Sequence, residues 1–371
     1  MVKILADKYL HNITNFFSEE VNLQLYDPDE PLNDIPADTQ ALLIRTVTKI
    51  NSQTFPSFPE ALQFIGTGSA GSDHVDIPYL KEQGITFANA AGCNARSVAE
   101  YVATALLLWA DANDINIKEN SVGIIGVGHT GGEVQKILQE MDVPTIGYDP
   151  PRDKRNLSFR SASLDEVLQG DILTFHTPLT QDQPNPTYHW LNADKLSDRT
   201  FKLIINTARG GLINEEALLN AHKKGKVGDF ILDVWENEPV FNDDTARRAF
   251  LKTPHIAGYS LQAKNRATQI ICEALADHFS IELLAAAKVN HSSEQPSPST
   301  FWSLTDTLTF YHPIRTYETR FLMLIGRPKN GKIKGFNAIR THHPLRTELQ
   351  FKTLSQKIKK SYPLLKPLFI E

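Results

Sequence analysis

The sequence predicts an α/β protein with two successive doubly wound parallel sheets. The chain has 371 residues, more than a single hydrophobic core usually holds. Short apolar segments alternate with segments of helical length through most of the chain, a rhythm typical of parallel strands joined by crossover helices. The composition, 41% hydrophobic and 22% charged with a net charge of −5, is that of a chain that folds in water.

The first ninety residues predict one α/β series followed by a buried helix. Strands are expected at 2–6, 41–45, 63–67 and 85–88. Ser97 and Glu100 have the spacing of a capping box, and the apolar run 101–109 follows them. Because this run is apolar on nearly every side, the helix is expected to be buried.

A second series predicts a complete nucleotide-binding domain that ends near His255. Its strands are expected at 122–126, 145–148, 171–176, 203–206 and 230–234. A long helix should follow over about 260–287. The Ser/Pro-rich stretch 292–299 then indicates a domain boundary.

The C-terminal segment differs in charge from the rest of the chain. Residues 291–371 contain 13 Lys and Arg against 5 Asp and Glu, a net charge of +8 that leaves −13 for residues 1–290. Such a segment can bind nucleic acid, pack on an acidic partner subunit or receive a phosphorylated substrate. No zinc-finger or RNA-binding signature accompanies it, so we expect no nucleic-acid partner.

Cysteine usage and the N-terminus indicate a cytoplasmic location. Cys93 and Cys272 are far apart and fit neither a disulfide framework nor a thiolate zinc site, so no metal is expected. The N-terminus lacks the long apolar run of a signal peptide, and the apolar run 102–110 is too short to span a bilayer. We therefore expect no membrane partner.

A glycine-rich fingerprint predicts a dinucleotide site. Gly126, Gly128 and Gly131 form G-x-G-x-x-G between a predicted strand and a helical stretch over 133–140. The first glycine permits a tight turn, the second lets the backbone approach a pyrophosphate and the third lets helix and strand pack closely. The helix N-terminus would present free N–H groups to the anion.

The acidic residue Asp149 indicates which dinucleotide binds. It lies 18 residues after Gly131, at the end of the next predicted strand, where a carboxylate can accept hydrogen bonds from the adenosine ribose. A carboxylate there would repel the 2′-phosphate of NADP, so NAD is the expected cofactor. Arg152 is close enough in sequence to reach such a phosphate, which keeps NADP as the alternative.

Three ionisable residues near the ends of predicted strands suit the oxidation of an alcohol. His255 can take the hydroxyl proton as hydride leaves. Glu238 can orient the imidazole and favour its protonated form. Arg209 can bind a substrate carboxylate and polarise the adjacent carbonyl. Taken singly, each residue type is more often structural, so the prediction rests on the set.

The motifs around these residues resemble those of the D-2-hydroxyacid dehydrogenases. The resemblance spans most of residues 40–285 and rests on the fingerprint and the segments 176–179, 206–211, 232–239 and 253–258. It implies two Rossmann/flavodoxin-like domains with the active site in the cleft between them. It also implies discontinuous domains: 1–95 with 256–288 for the substrate, and 96–255 for NAD.

One subfamily of these enzymes, which acts on a small phosphorylated 2-hydroxy acid, shares further segments with this chain. They are 45–49, 66–76, 92–95, 148–152 and 255–260. Residues 289–371 are similar to that subfamily's small α+β dimerisation domain, which implies a homodimer through the C-terminal domain. The nearest alternatives are a phosphoglycerate or hydroxypyruvate-type dehydrogenase and, from another class, an NAD-sensing corepressor scaffold of the same fold.

The resemblance implies roles residue by residue. Substrate contacts are expected from Thr46, Thr67 and Tyr259. Besides Gly126, Gly128, Gly131 and Asp149, cofactor contacts are expected from His129, Thr130, Thr177, Thr207, Ala208, Asp233 and Gly258. A phosphorylated substrate needs a second cation besides Arg209, and the candidates are Arg45 and, delivered from a partner's C-terminal segment, Arg340 or Arg346.

Overall fold

The structure is a computed structural model that describes residues 1–30, 32, 34–181, 184–284, 303–350 and 354–370. These residues form two compact units. The first contains residues 1–94 and 260–284, and the second contains residues 95–259, 303–350 and 354–370. The predicted connector 292–299 lies outside the described residues.

Both units are built from parallel strands and helices. The strands are β1 (Val2–Asp7), β2 (Val21–Tyr26), β3 (Ala41–Ile44), β4 (Phe64–Thr67), β5 (Thr86–Asn89), β6 (Val122–Ile125), β7 (Thr145–Tyr148), β8 (Ile172–Phe175), β9 (Phe201–Asn206), β10 (Val227–Leu232) and β11 (Leu251–Lys252). The α-helices are α1 (Ile77–Glu82), α2 (Ala95–Ala112), α3 (His129–Glu140), α4 (Pro150–Arg155), α5 (Leu164–Val167), α6 (Ala193–Ser197), α7 (Glu215–Lys223), α8 (Asp243–Arg248), α9 (Leu261–Phe279), α10 (Leu304–Tyr311), α11 (Ile314–Leu322), α12 (Lys329–Thr341) and α13 (Gln356–Ser361).

The first unit contains a five-stranded parallel sheet in the order β2-β1-β3-β4-β5. Four of these strands are the predicted ones, and β2 is an additional edge strand. Edge strands expose many of their side chains, so β2 lacks the continuous apolar run on which the prediction depended. Helix α9 covers this sheet through Ile271, Cys272 and Leu275. It ends at Phe279, earlier than the predicted residue 287, and Ser280 follows in a left-handed conformation.

The second unit contains a six-stranded parallel sheet in the order β11-β10-β9-β8-β6-β7. The five predicted strands are confirmed, and the short β11 is added. After β7 the chain returns past β6 to form β8, so the direction of strand order reverses between β6 and β8. Ligands of doubly wound sheets bind beyond the carboxyl ends of the strands at such a reversal.

The predicted capping box before α2 is wrong. The helix begins at Ala95, so Ser97 and Glu100 lie inside it, and both are fully buried. The Ser97 hydroxyl donates to Glu348 Oε1 at 3.0 Å, and Glu100 accepts from the Leu349 N–H at 3.0 Å. These polar residues therefore bind the C-terminal segment and do not cap the helix.

A buried ion-pair cluster strengthens this attachment of the C-terminal segment to α2. Arg346 Nη1 lies 2.5 Å from Glu100 Oε2, and Arg96 Nε lies 3.1 Å from Glu100 Oε1. Arg346 Nη2 also donates to the Ser97 carbonyl at 3.1 Å. Burial raises the pKa of Glu100, and the charges of Arg346 and Arg96 oppose that shift. Arg346 is therefore held by Glu100 and Ser97 of the same chain. Its expected contact with a substrate phosphate in a partner stays a prediction.

Aromatic side chains join the C-terminal helices to the loop after β10. Phe321 of α11 stacks on Trp235 with centroids 4.9 Å apart, and it also contacts Phe336 of α12. Lys332 donates to the Phe241 carbonyl at 3.1 Å. Within the part of the chain that the structure describes, no helix is long and apolar enough to cross a membrane.

We expect Arg346→Met to destabilise the protein strongly, because it removes one partner of a buried ion pair. Losses of about 3–5 kcal/mol are typical when a buried charge loses its partner. Arg160→Met is the matched control, since its pair with Asp153 is largely exposed and should contribute less than about 1 kcal/mol. Urea unfolding of both variants measures the difference. Equal unfolding midpoints would show that the Glu100 cluster does not hold the C-terminal segment.

Candidate active site

The glycine-rich turn after β6 has the geometry that a dinucleotide needs. Gly126 has a φ of 87°, which disfavours any side chain. A Cβ at Gly131 would lie 1.9 Å from the Gly126 carbonyl oxygen, so only glycine allows α3 to pack this closely on the turn. A Cβ at Gly128 would meet nothing within 4 Å, so the backbone there faces open space. His129 and Thr130 form the first turn of α3, whose N–H groups lie beside that space.

Asp149 ends β7 directly beside this turn. Its Oδ2 accepts from the Val127 N–H at 2.9 Å, and its Oδ1 accepts from the Arg152 N–H at 2.9 Å, which caps α4. The Arg152 guanidinium donates to the Val127 carbonyl and lies over the Phe159 ring at 4.4 Å. Both residues that bear on the choice between NAD and NADP thus contact the glycine-rich turn.

Three buried polar atoms at the ends of β8 and β9 have no hydrogen-bond partner among the described residues. They are His176 Nδ1, Thr177 Oγ1 and Thr207 Oγ1. The Thr177 side chain adjoins the glycine-rich turn, since a Cβ on Gly126 would lie 2.6 Å from its Cγ2. Leaving such atoms unsatisfied costs about 1–3 kcal/mol each, and polar groups of a bound cofactor would satisfy them. The residues present therefore fit a dinucleotide.

His176 was not predicted as a site residue, although it lies in a segment that carries the family resemblance. Its Nε2 pairs with the Thr174 hydroxyl at 3.0 Å. Burial lowers the pKa of His176 to about 3, so the imidazole is neutral at physiological pH. Among the residues that the structure describes, none bonds to Nδ1, and this signal comes from the structure and not from the sequence.

Arg209 lies in a turn that the Asn206 side chain holds at the end of β9. The Asn206 amide donates to the Arg209 carbonyl at 2.8 Å and accepts from the Ala208 N–H at 3.1 Å. The Arg209 guanidinium donates to the Ala208 carbonyl at 2.8 Å. A Cβ on Gly210 would lie 1.9 Å from the Trp235 carbonyl oxygen. The turn that carries Arg209 therefore packs against the loop that carries Glu238.

Glu238 and His255 form the predicted pair. His255 Nδ1 lies 2.5 Å from Glu238 Oε1, and Glu238 Oε2 accepts from the Trp235 N–H at 3.3 Å. Burial acts to raise the pKa of Glu238, but the charge and hydrogen bond of His255 and the charge of Arg340 outweigh it and lower that pKa. The carboxylate is thus ionised at neutral pH, as an orienting partner of the imidazole must be.

Asp233 holds the loop on which His255 lies. Its fully buried carboxylate accepts from the Thr253 hydroxyl at 2.6 Å, from the Ile256 N–H at 2.8 Å and from the Ala257 N–H at 2.9 Å. The Asp233 carbonyl accepts from the His255 N–H at 2.6 Å. The cofactor contact that the resemblance implies for Asp233 stays a prediction, since these bonds all go to protein groups.

The remaining residues of the same loop lie beside the C-terminal segment. Gly258 and Tyr259 end the loop, and the Tyr259 N–H donates to the Ile256 carbonyl at 2.9 Å. The Tyr259 ring contacts the His343 ring edge-on, with centroids 5.7 Å apart. Their predicted contacts with cofactor and substrate stay predictions.

The other predicted substrate residues belong to the first unit. Arg45 Nε donates to Asp7 Oδ2 at 2.8 Å, and Thr46 is exposed just after β3. Thr67, at the end of β4, is buried, and its hydroxyl lies 2.9 Å from His74 Nε2. Within the described part of the chain, no group of three or more His, Cys, Asp or Glu side chains is placed to hold a metal ion.

Comparisons with known proteins identify the family. Residues 98–257 match the family model described as D-isomer specific 2-hydroxyacid dehydrogenase, NAD binding domain. The erythronate-4-phosphate dehydrogenase of Serratia proteamaculans is 35% identical over 356 residues, which cover 94% of this chain and 93% of that protein. The Escherichia fergusonii enzyme of the same name is 40% identical over 278 residues, which cover 74% of this chain and 72% of that protein.

A solved structure agrees with this result at the level of the fold. The NAD-dependent formate dehydrogenase from Staphylococcus aureus, in complex with NAD, has a TM-score of 0.57 and 23% identity. The match covers 75% of this chain and 96% of that one. The chain therefore belongs to the D-isomer specific 2-hydroxyacid dehydrogenases, the family of NAD-dependent enzymes that includes its erythronate-4-phosphate dehydrogenase relatives.

Proposed function

We propose that the chain oxidises 4-phospho-D-erythronate to 3-hydroxy-2-oxo-4-phosphooxybutanoate with NAD, as a cytoplasmic step of vitamin B6 biosynthesis. One observation carries the choice of substrate: the Serratia proteamaculans relative matches over 94% of this chain, so the match takes in most of the C-terminal segment. That segment argues against a phosphoglycerate or hydroxypyruvate-type dehydrogenase. Assays of the purified protein with NAD and a panel of 2-hydroxy acids test both alternatives, since a scaffold would show no turnover.

The chemistry follows from the residues around the Glu238–His255 pair. A bound NAD would supply the acceptor for the hydride of the substrate carbon. His255 takes the hydroxyl proton on Nε2, because its Nδ1 is already engaged with Glu238. Arg209 binds the substrate carboxylate beside the reacting carbon. The cofactor would be held by Gly126, Gly128, Gly131, Asp149, Thr177 and Thr207.

We expect His255→Asn to lower kcat by about 10²–10⁴-fold, the usual contribution of a general acid or base. NAD binding should survive, because the imidazole handles a proton and does not hold the cofactor. Glu238→Gln should lower kcat less and move the pH optimum for the reverse reduction downward, since the protonated imidazole loses its carboxylate partner. Steady-state kinetics and NADH fluorescence titration measure both effects. Unchanged kcat in His255→Asn would remove this mechanism.

We expect Asp149→Asn to weaken the discrimination between NAD and NADP. The change removes the charge that repels a 2′-phosphate but keeps an oxygen that can cap α4. Asp153→Asn, on the same helix, is the matched control, because Asp153 lies in the first turn of α4 and pairs with the exposed Arg160. The ratio of kcat/KM for NAD and NADP is the measurement. A ratio that stays at the wild-type value in Asp149→Asn would show that this carboxylate does not face the ribose.

A homodimer through the C-terminal segment also belongs to this proposal. The support is a pair of adjacent apolar side chains at the end of α11, where Leu322 is 44% exposed and Met323 is 66% exposed. Both side chains belong to the segment that resembles a dimerisation domain, and a partner that covered them would remove this apolar surface from water. Truncation of the C-terminal segment would also remove its contacts with α2 and could unfold the protein. Point variants therefore test the dimer better.

We expect Leu322→Asp to convert the dimer to a monomer, because a buried carboxylate at the interface would be unpaired. Leu157→Asp is the matched control, since Leu157 is 88% exposed and far in sequence from this segment. Sedimentation velocity of both variants gives the oligomeric state. A Leu322→Asp protein that sediments like the wild-type dimer would place the interface elsewhere.

A further inference from the structure

A second histidine–carboxylate pair lies beside the first. His189 Nε2 is 2.7 Å from Glu236 Oε1, and Glu236 is only two residues before Glu238. His189 lies between β8 and α6 in a left-handed conformation, with a φ of 48°. Non-glycine residues seldom adopt this conformation unless the surrounding contacts hold them there. Nothing in the mechanism above uses this pair.

The surrounding hydrogen bonds show which ring nitrogen of His189 donates to Glu236. Asn214 caps α7 by accepting the Ala217 N–H on Oδ1 at 2.9 Å, which turns its amide nitrogen toward His189. That nitrogen lies 3.3 Å from His189 Nδ1, so Nδ1 accepts. The ring proton is then on Nε2, which donates to Glu236. The imidazole is therefore held on both sides.

The backbone of His189 contacts the turn that follows Arg209. Its N–H donates to the Gly211 carbonyl at 2.7 Å. The neighbouring Tyr188 ring stacks on the His189 ring at 3.9 Å, and a Cβ on Gly211 would lie 3.3 Å from that tyrosine. His189 thus bonds through its backbone to the Arg209 turn and through its ring to the Glu238 loop.

Glu215 fastens the same loop from the start of α7. Its Oε1 accepts from the Glu236 N–H at 2.6 Å, and its own N–H donates to Glu236 Oε2 at 3.3 Å. Both Glu236 oxygens are thereby engaged, one by His189 and one by the Glu215 backbone. The position of residues 235–238 consequently depends on His189 and Glu215 together.

We propose that His189 is a positioning residue that couples the turn carrying Arg209 to the loop carrying the Glu238–His255 pair. It touches neither of the reacting groups itself. Through Gly211 on one side and Glu236 on the other, it sets the distance between the substrate-binding guanidinium and the acid–base pair. The role assigned to those three residues comes from the proposed function, on which this inference rests.

The test is His189→Asn in the full-length protein. Asparagine tolerates the left-handed backbone and keeps the N–H bond to Gly211, but its shorter side chain cannot reach Glu236. We expect kcat for oxidation of 4-phospho-D-erythronate to fall about ten- to a hundredfold, as misplacement of reacting groups by about 1 Å does. KM for this substrate should rise, whereas the Kd of NAD should stay within about twofold, because the glycine-rich turn is not part of the coupling.

Two further variants separate positioning from general destabilisation. Glu236→Gln should also lower kcat. The double variant with His189→Asn should have a kcat only slightly below that of Glu236→Gln alone, because both changes act through one contact. His222→Asn is the matched control, since His222 pairs with the Val227 carbonyl and contacts Phe230, and both of these residues lie outside segments 210–213 and 235–238. The control should keep wild-type kcat. A His189→Asn enzyme with wild-type kcat and KM, or with effects fully additive to Glu236→Gln, would overturn the inference.

Hydrogen exchange gives a readout that does not depend on the substrate. In His189→Asn, amides of residues 210–213 and 235–238 should exchange faster together, whereas His222→Asn should leave both segments unchanged. Unaltered exchange in either segment would overturn the coupling. Wild-type protein that fails to oxidise 4-phospho-D-erythronate would overturn the proposed function instead, and the exchange result would still stand.

Discussion

The buried carboxylate of Asp233 organises the loop that carries His255, the residue proposed for the acid–base step. It accepts hydrogen bonds from Thr253, Ile256 and Ala257, so the chain must turn around it directly after β11. His255 lies inside this turn with a φ of 58°, a conformation that the surrounding bonds stabilise. Tyr101 of α2 extends the network, since its hydroxyl lies 2.6 Å from Thr253 Oγ1. These bonds hold the backbone on both sides of His255. Because Glu238 engages Nδ1 of the imidazole, Nε2 stays available for a proton.

The loop that carries Glu238 is constrained from two other directions. On one side, Gly210 allows the Arg209 turn to approach the Trp235 carbonyl, and His189 and Glu215 bond to Glu236. On the other side, the Trp235 ring stacks on Phe321 of the C-terminal segment. Preorganised groups of this kind need no rearrangement when charge develops in the transition state. The framework around the proposed catalytic residues therefore includes the C-terminal helix α11.

The chain between α12 and α13 explains why α2 contains polar residues in an otherwise apolar sequence. Glu100 would be costly to bury alone, and Arg346, Arg96 and the Leu349 N–H satisfy it. A buried ion pair adds little stability over an apolar contact, but removal of one partner leaves an uncompensated buried charge, so Glu100 requires these partners. The basic C-terminal segment is thus matched to α2 by charge as well as by shape.

The sequence by itself determined the α/β class and the glycine-rich turn, and it is the source of the proposal that Arg209, Glu238 and His255 are catalytic. Strands buried on both faces read as apolar runs, and glycines required by backbone geometry recur at a set spacing, so these features are local. Only the tertiary structure decided the partners of Glu100 and Arg346, the unsatisfied nitrogen of His176 and the contact of His189 with Glu236. Each of these depends on segments far apart in the chain, 246 residues for the Glu100–Arg346 pair. A local sequence pattern does not reveal contacts between distant segments. For this reason the spacing of Ser97 and Glu100 predicted a helix cap that the structure does not contain.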